Sequence, residues 1–130
     1  MDIHISLIAT ALAALINIWL AVRCGRMRLK AGVQHGDGGD ARLLRRMRAQ
    51  ANFVEYTPFA LLLILGLELN GHGGWLLALA ALAFLIGRVV HALGMDAEKA
   101  GPLRMAGMTA TFSLLALLSL AALLAAFRVI

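Results

Sequence analysis

A single cysteine, Cys24, stands in 130 residues, which excludes an intrachain disulfide. A lone thiol of this kind reads as a packing or interfacial group, so any thiol chemistry rests on a ligand's sulfur. Charge is missing over long stretches. Residues 3–22 hold none, residues 105–127 hold none, and residues 49–67 hold only Glu55. This excludes an ordinary soluble domain, in which charge interrupts the apolar residues. Metal-ligand spacing is missing too. The four histidines are scattered and form no ligand set with carboxylates, so no metal is expected. The glycine-rich "QHGDGGD" (Gln34–Asp40) lacks the Lys-Ser/Thr ending of a phosphate-binding loop and reads as a flexible turn. No repeat suggests a transporter built from duplicated halves.

What is present is apolar length. The chain is 62% hydrophobic, with a mean hydropathy of +0.85. The three charge-poor stretches and Trp75–Gly94, which carries Arg88 and His91 in its last turns, each approach the ~20 residues that cross a ~30 Å hydrocarbon core. The expectation is an all-α integral membrane protein, a bundle of four transmembrane helices filling residues 1–130 as one domain. Met1-Asp2 supplies no basic n-region, so the first apolar stretch is expected to be a retained helix rather than a removable signal. Asn17 is the one amide in the first helix. The first and fourth helices are rich in small residues that allow close helix contact in lipid, and they read mainly as scaffold.

Basic residues set the expected orientation. Arg23, Arg26, Arg28, Lys30, Arg42, Arg45, Arg46 and Arg48 lie between helices 1 and 2, opposed only by Asp37 and Asp40. Lys99 and Arg104 flank the helix 3–4 connection, whereas the "NGHGG" turn between helices 2 and 3 has neither Lys nor Arg. The first and third loops are therefore expected in the cytoplasm and both termini on the far side. The pI near 10.7 then reflects topology, with anionic lipid headgroups rather than nucleic acid as the basic rim's partner.

The chemistry concentrates in "RRMRAQANFVEY" (Arg45–Tyr56). Arg45, Arg48, Asn52 and Glu55 step by three, four and three, which places them along one helix face. Glu55 lies seven residues beyond Arg48, ~10 Å deeper along the helix. Charge at that depth calls for a polar cavity or a partner. Pro58 cannot donate to the carbonyl of Val54 and loosens the helix beside Glu55. One reading is an Arg48–Glu55 or Arg88–Glu55 ion pair that pins helices, although apolar packing replaces such a pair with little loss. The other is a site for an anionic ligand that also carries an amine. Arginine forks match carboxylates, and Glu55 receives the ammonium. Arg88 and His91, one turn apart on helix 3, and Arg104 at the start of helix 4 lie toward the same side.

The run R-x-x-R-A-Q-x-N-x-x-E-Y-x-P from Arg45 to Pro58, with G-R-x-x-H-x-x-G on helix 3 and an arginine opening helix 4, resembles the MAPEG proteins. These are small four-helix membrane proteins of eicosanoid and glutathione metabolism, and the resemblance is strongest to the bacterial branch. It implies a bacterial inner-membrane homotrimer that binds glutathione as co-substrate between subunits near the cytoplasmic face. Carried over by position, Arg48, Gln50, Asn52, Glu55 and Tyr56 hold the peptide. Arg28 or Lys30 meets one of its carboxylates, Arg88 and His91 belong to the same pocket, and Arg104 stabilises the thiolate. The implied reaction is glutathione transfer, or peroxide reduction, on hydrophobic electrophiles entering from the bilayer. The alternative is a lipid or glutathione binder without catalysis. Tyrosines near the end of helix 3 in the eukaryotic synthases are absent here, where residues such as His91, Leu93 and Met95 stand, so eicosanoid specificity does not transfer.

Overall fold

The computed structural model describes residues 3–130; Met1 and Asp2, on which the signal-peptide expectation rests, lie outside them. Four helices follow one another: α1 (His4–Ala31), α2 (Ala41–Leu67), α3 (Trp75–Gly94) and α4 (Pro102–Ala126). Each is long and apolar enough to cross a membrane. Their inward faces meet in a core that includes Leu20, Phe53, Ala60, Ile64, Phe84 and Leu118. Leucines and isoleucines such as Leu15, Ile18, Leu62 and Leu120 stay exposed on the outside. That inversion is stable only against lipid or another protein.

Helix ends follow local chemistry. Asp40 caps α2, its carboxylate accepting from the N–H groups of Leu43 at 3.1 Å and Arg42 at 2.8 Å. Those two bonds hold the Asp40 carboxyl below its ordinary pKa. Pro102 opens α4, where a missing N–H costs nothing. The α3 range is the one expected from the apolar run. Helix α2 ends with its apolar stretch at Leu67, and a single π-helical turn, Glu68–His72, follows; Gly71 inside it adopts the left-handed region (φ 87°), so the glycine turn expected between α2 and α3 forms there. His72, expected in solvent, is half-buried.

Glu68 anchors that turn. Its carboxylate is buried and accepts from the N–H groups of Ile5 and Ser6, each at 2.8 Å, and from the Ser6 hydroxyl. These are N–H groups in the first turn of α1, which lack partners within the helix and attract negative charge. The start of α1 is thereby fastened to the end of α2. Helices α1 and α2, with 28 and 27 residues, are about 42 and 40 Å long at 1.5 Å per residue. Level at this end, both overshoot a ~30 Å core at the other. The overhang carries Arg23–Lys30 and Arg42–Arg48. Asp96, in the α3–α4 connection, takes Arg23 from α1 and Arg46 from α2, the latter at 3.5 Å. The Arg23 guanidinium also lies 4.7 Å from the Trp19 ring. All four helices are thus tied together at the basic end.

Candidate functional site

Helix α4 approaches α3 backbone to backbone. A Cβ on Gly107 would lie 2.5 Å from the His91 nitrogen and 2.7 Å from the Gly87 carbonyl oxygen, and one on Gly94 would collide with the backbone of Leu103 and Arg104. Glycine is therefore required at both positions. This contact brings the first turn of α4 against the last turn of α3. Buried His91 donates from Nδ1 to the Arg104 carbonyl at 3.2 Å. The Arg104 side chain itself is exposed.

A second cluster lies where α2, α3 and α4 meet. Arg88 is 1% exposed, so a guanidinium sits within the membrane-spanning part of the bundle. Its Nη1 donates to Thr111 Oγ1 at 2.9 Å, and its Nη2 donates to Asn52 Oδ1 at 2.5 Å. The Thr111 hydroxyl in turn donates to the Gly107 carbonyl at 2.7 Å. The Arg88 guanidinium lies 5.9 Å from the Tyr56 ring, which is set edge-on to Phe112 with 5.4 Å between centroids. The Arg88–Glu55 ion pair weighed from the sequence does not form. Asn52 takes that place, because Glu55 lies 60° further round α2 and is exposed on its flank. Arg48 is exposed on the same flank, and the Arg48–Glu55 pair does not form either. Arg45 is half-buried.

The third feature is a groove of about 520 Å³ between α1 and α2, lined by Cys24, Arg28, Met47, Gln50 and Val54 among others. Arg28 reaches the connecting loop as well, donating to the Gly36 carbonyl at 2.6 Å and the Gln34 carbonyl at 3.4 Å. Lys30 is exposed and does not line the groove, so Arg28 is the better placed of the two. Gln50 and Asn52, two residues apart, point to roughly opposite sides of α2.

The structure therefore joins Asn52, Tyr56 and Arg88 in one cluster, His91 and Arg104 in another, and Arg28 and Gln50 in the groove. Arg48 and Glu55 lie between them on the outside of α2. Thr111 was missed by sequence reasoning, as were Asp96 and Glu68. For Thr111 a signal existed: it stands one turn beyond Gly107 on a helix otherwise almost wholly apolar. Among the described residues no group of His, Cys, Asp and Glu could hold a metal.

Four apolar helices with a polar, arginine-rich site toward their basic end define a small multi-pass membrane protein with an intramembrane polar site. Residues 6–124 match the MAPEG family, and the chain belongs to it. It is 34% identical over 117 residues to inner membrane protein YecN of Escherichia coli strain K12, an alignment covering 90% of this chain and 88% of the relative. YecN of E. coli O6:H1 strain CFT073 is similar to the same extent.

Proposed function

We propose that the chain is a glutathione transferase of the bacterial inner membrane, working as a homotrimer on hydrophobic electrophiles drawn from the bilayer. The observation that carries this reading is the exposed flank of α2. Glu55 stands two turns beyond Arg48 on a helix apolar enough to cross a membrane, on the outer surface of the chain, with no ion pair among the described residues. A carboxylate facing lipid there is costly, so it needs cover from another copy and a cationic partner. The ammonium of glutathione is such a partner, and Arg48, one face with it, suits a carboxylate.

Geometry also supports a site shared between copies. A ligand that uses both Gln50 and Asn52 cannot wrap around α2 of one chain. It draws Arg28 and Gln50 from one copy and Asn52, Glu55 and Tyr56 from another. Arg104, exposed at the mouth of α4, supplies the positive charge beside the thiol. The inner-membrane location follows the name carried by the relative from E. coli.

A non-catalytic binder is the second reading, favoured by one observation: Tyr56 is the chain's only tyrosine, so none stands near the end of α3. Titration calorimetry of the detergent-purified protein with glutathione, followed by a panel of hydrophobic electrophiles, separates the two. Saturable glutathione binding with conjugation supports the enzyme. Binding without turnover supports a glutathione binder, and no binding removes the transferase and the glutathione binder alike, leaving a lipid binder.

The proposed cytoplasmic entry of glutathione needs the basic overhang of α1 and α2 in the cytoplasm. Cysteines placed singly at Gly38 and Gly73, on a background with Cys24 replaced by Ala, test it in intact cells. An impermeant maleimide is expected to label position 73 and spare position 38. The reverse pattern would overturn the orientation.

A further inference from the structure

Asn52 can offer a ligand either the oxygen or the nitrogen of its carboxamide, and the fold settles which. A guanidinium has only donors, so the amide atom facing Arg88 must be the oxygen. Arg88 cannot swing away. It is buried, and its other terminal nitrogen is held by Thr111, whose hydroxyl is fixed in turn by the Gly107 carbonyl. Asn52 Nδ2 has no hydrogen-bond partner among the described residues, yet it is not one of the buried orphan atoms. It therefore opens toward the surface of the half-buried residue. It stands between Arg48, one turn before it, and Glu55, one turn after it, both exposed.

We infer that Arg88 and Thr111 are positioning residues which lock Asn52 as a two-proton donor, so that the ligand group lying against it is an acceptor, a carbonyl or carboxylate oxygen. This rests on the glutathione reading above and deepens it. The row along α2 becomes cation, neutral donor, carboxylate. A peptide laid along it places a carboxylate at Arg48, a backbone or side-chain carbonyl at Asn52 and an ammonium at Glu55. Arg88 acts behind this row rather than in it. Its burial also explains why an arginine is needed: lysine is a single point of charge and cannot bridge Thr111 and Asn52 in a fixed plane.

Asn52→Asp tests the inference, because it preserves shape and the oxygen facing Arg88 while exchanging the outward donor for an acceptor. A carboxylate there pairs with Arg88 more strongly than the amide does. Thermal stability and oligomer mass in detergent are expected to be kept or raised. Glutathione affinity by calorimetry is expected to fall at least about tenfold, since two acceptors now face each other. If the Arg88–Asn52 contact only holds helices together, the Asn52→Asp variant binds glutathione as well as wild type does, and the inference fails. Thr111 gives an independent test. Thr111→Val leaves Arg88 Nη1 unheld and is expected to raise KM for glutathione several-fold with kcat little changed, whereas Thr111→Ser restores it. Equal KM in the valine and serine variants overturns the positioning role, even if the aspartate variant does not assemble. Wild-type protein that shows no glutathione binding sinks the functional reading itself, an outcome distinct from either variant result.

Discussion

Replacing Arg104 by Ala is expected to leave glutathione bound while moving its thiol ionisation to higher pH. The peptide contacts proposed on α2 do not involve the Arg104 side chain, and the fold keeps the α3–α4 junction through backbone groups. His91 bonds the carbonyl of residue 104, and Gly94 and Gly107 seat the helix whatever side chain residue 104 carries. Only the positive charge is lost. An unperturbed thiol ionises near pH ~8.5, and a neighbouring cation lowers that by about one to three units. For a two-unit shift, thiolate at pH 7 falls from roughly three-quarters to ~3% when the charge is removed. A more basic thiolate is a better nucleophile and recovers part of that roughly 25-fold loss. Conjugation at pH 7 is therefore expected to drop several-fold, with the deficit closing above about pH 9. Ultraviolet absorbance of the bound thiolate, followed against pH in both proteins, gives the shift directly. Coincident titration curves would make Arg104 a headgroup anchor and put the non-catalytic binder ahead.

Much of this fold is legible in the residue order because lipid imposes a length rule. The apolar run from Trp75 to about Gly94 emerges as α3 with those ends. Small residues on α4 correctly signal close packing, realised at Gly107. Long-range polar pairing is another matter. Nothing near Glu68 in sequence announces that its partners are Ile5 and Ser6, 63 and 62 residues away. A local reading therefore misses the fastening of α1 to the turn that follows α2. The partner of Arg88 was equally out of reach. Asn52 and Glu55 share a face to within about 60°, and a small rotation of α2 decides between them. Periodicity gives the face but not the rotation.

The same limit applies to the site. The spacing of Arg48, Asn52 and Glu55 identifies a polar edge, but only the packed helices reveal that its middle member is occupied from behind. An arginine buried among α2, α3 and α4 reads in the sequence as one more ligand-facing cation. In the structure its two terminal nitrogens donate to Thr111 and Asn52. Of the arginines proposed for the site, Arg48 and Arg104 are the exposed ones and are free to meet an anion.

Glu55→Gln is expected to weaken glutathione binding by about 30- to 100-fold, or ~2–3 kcal/mol, while the oligomer keeps its mass. Glutamine fills the same volume and still accepts a hydrogen bond, so the loss isolates the charge. Inside the bundle nothing should loosen, because Glu55 is exposed and makes no ion pair among the described residues. A ligand-side control sharpens the test. Glutathione lacking its α-amino group should bind wild type weakly, and the Gln variant should bind it no worse. The two losses are then non-additive, as expected when both changes remove the same contact. Calorimetry with both peptides and mass measurement in detergent supply the four affinities and the assembly state. If the amine and the carboxylate contribute independently, Glu55 does not receive the ammonium. Unchanged affinity with a broken oligomer would instead make Glu55 an ion-pair pin between copies, with the polar edge of α2 serving assembly rather than a ligand.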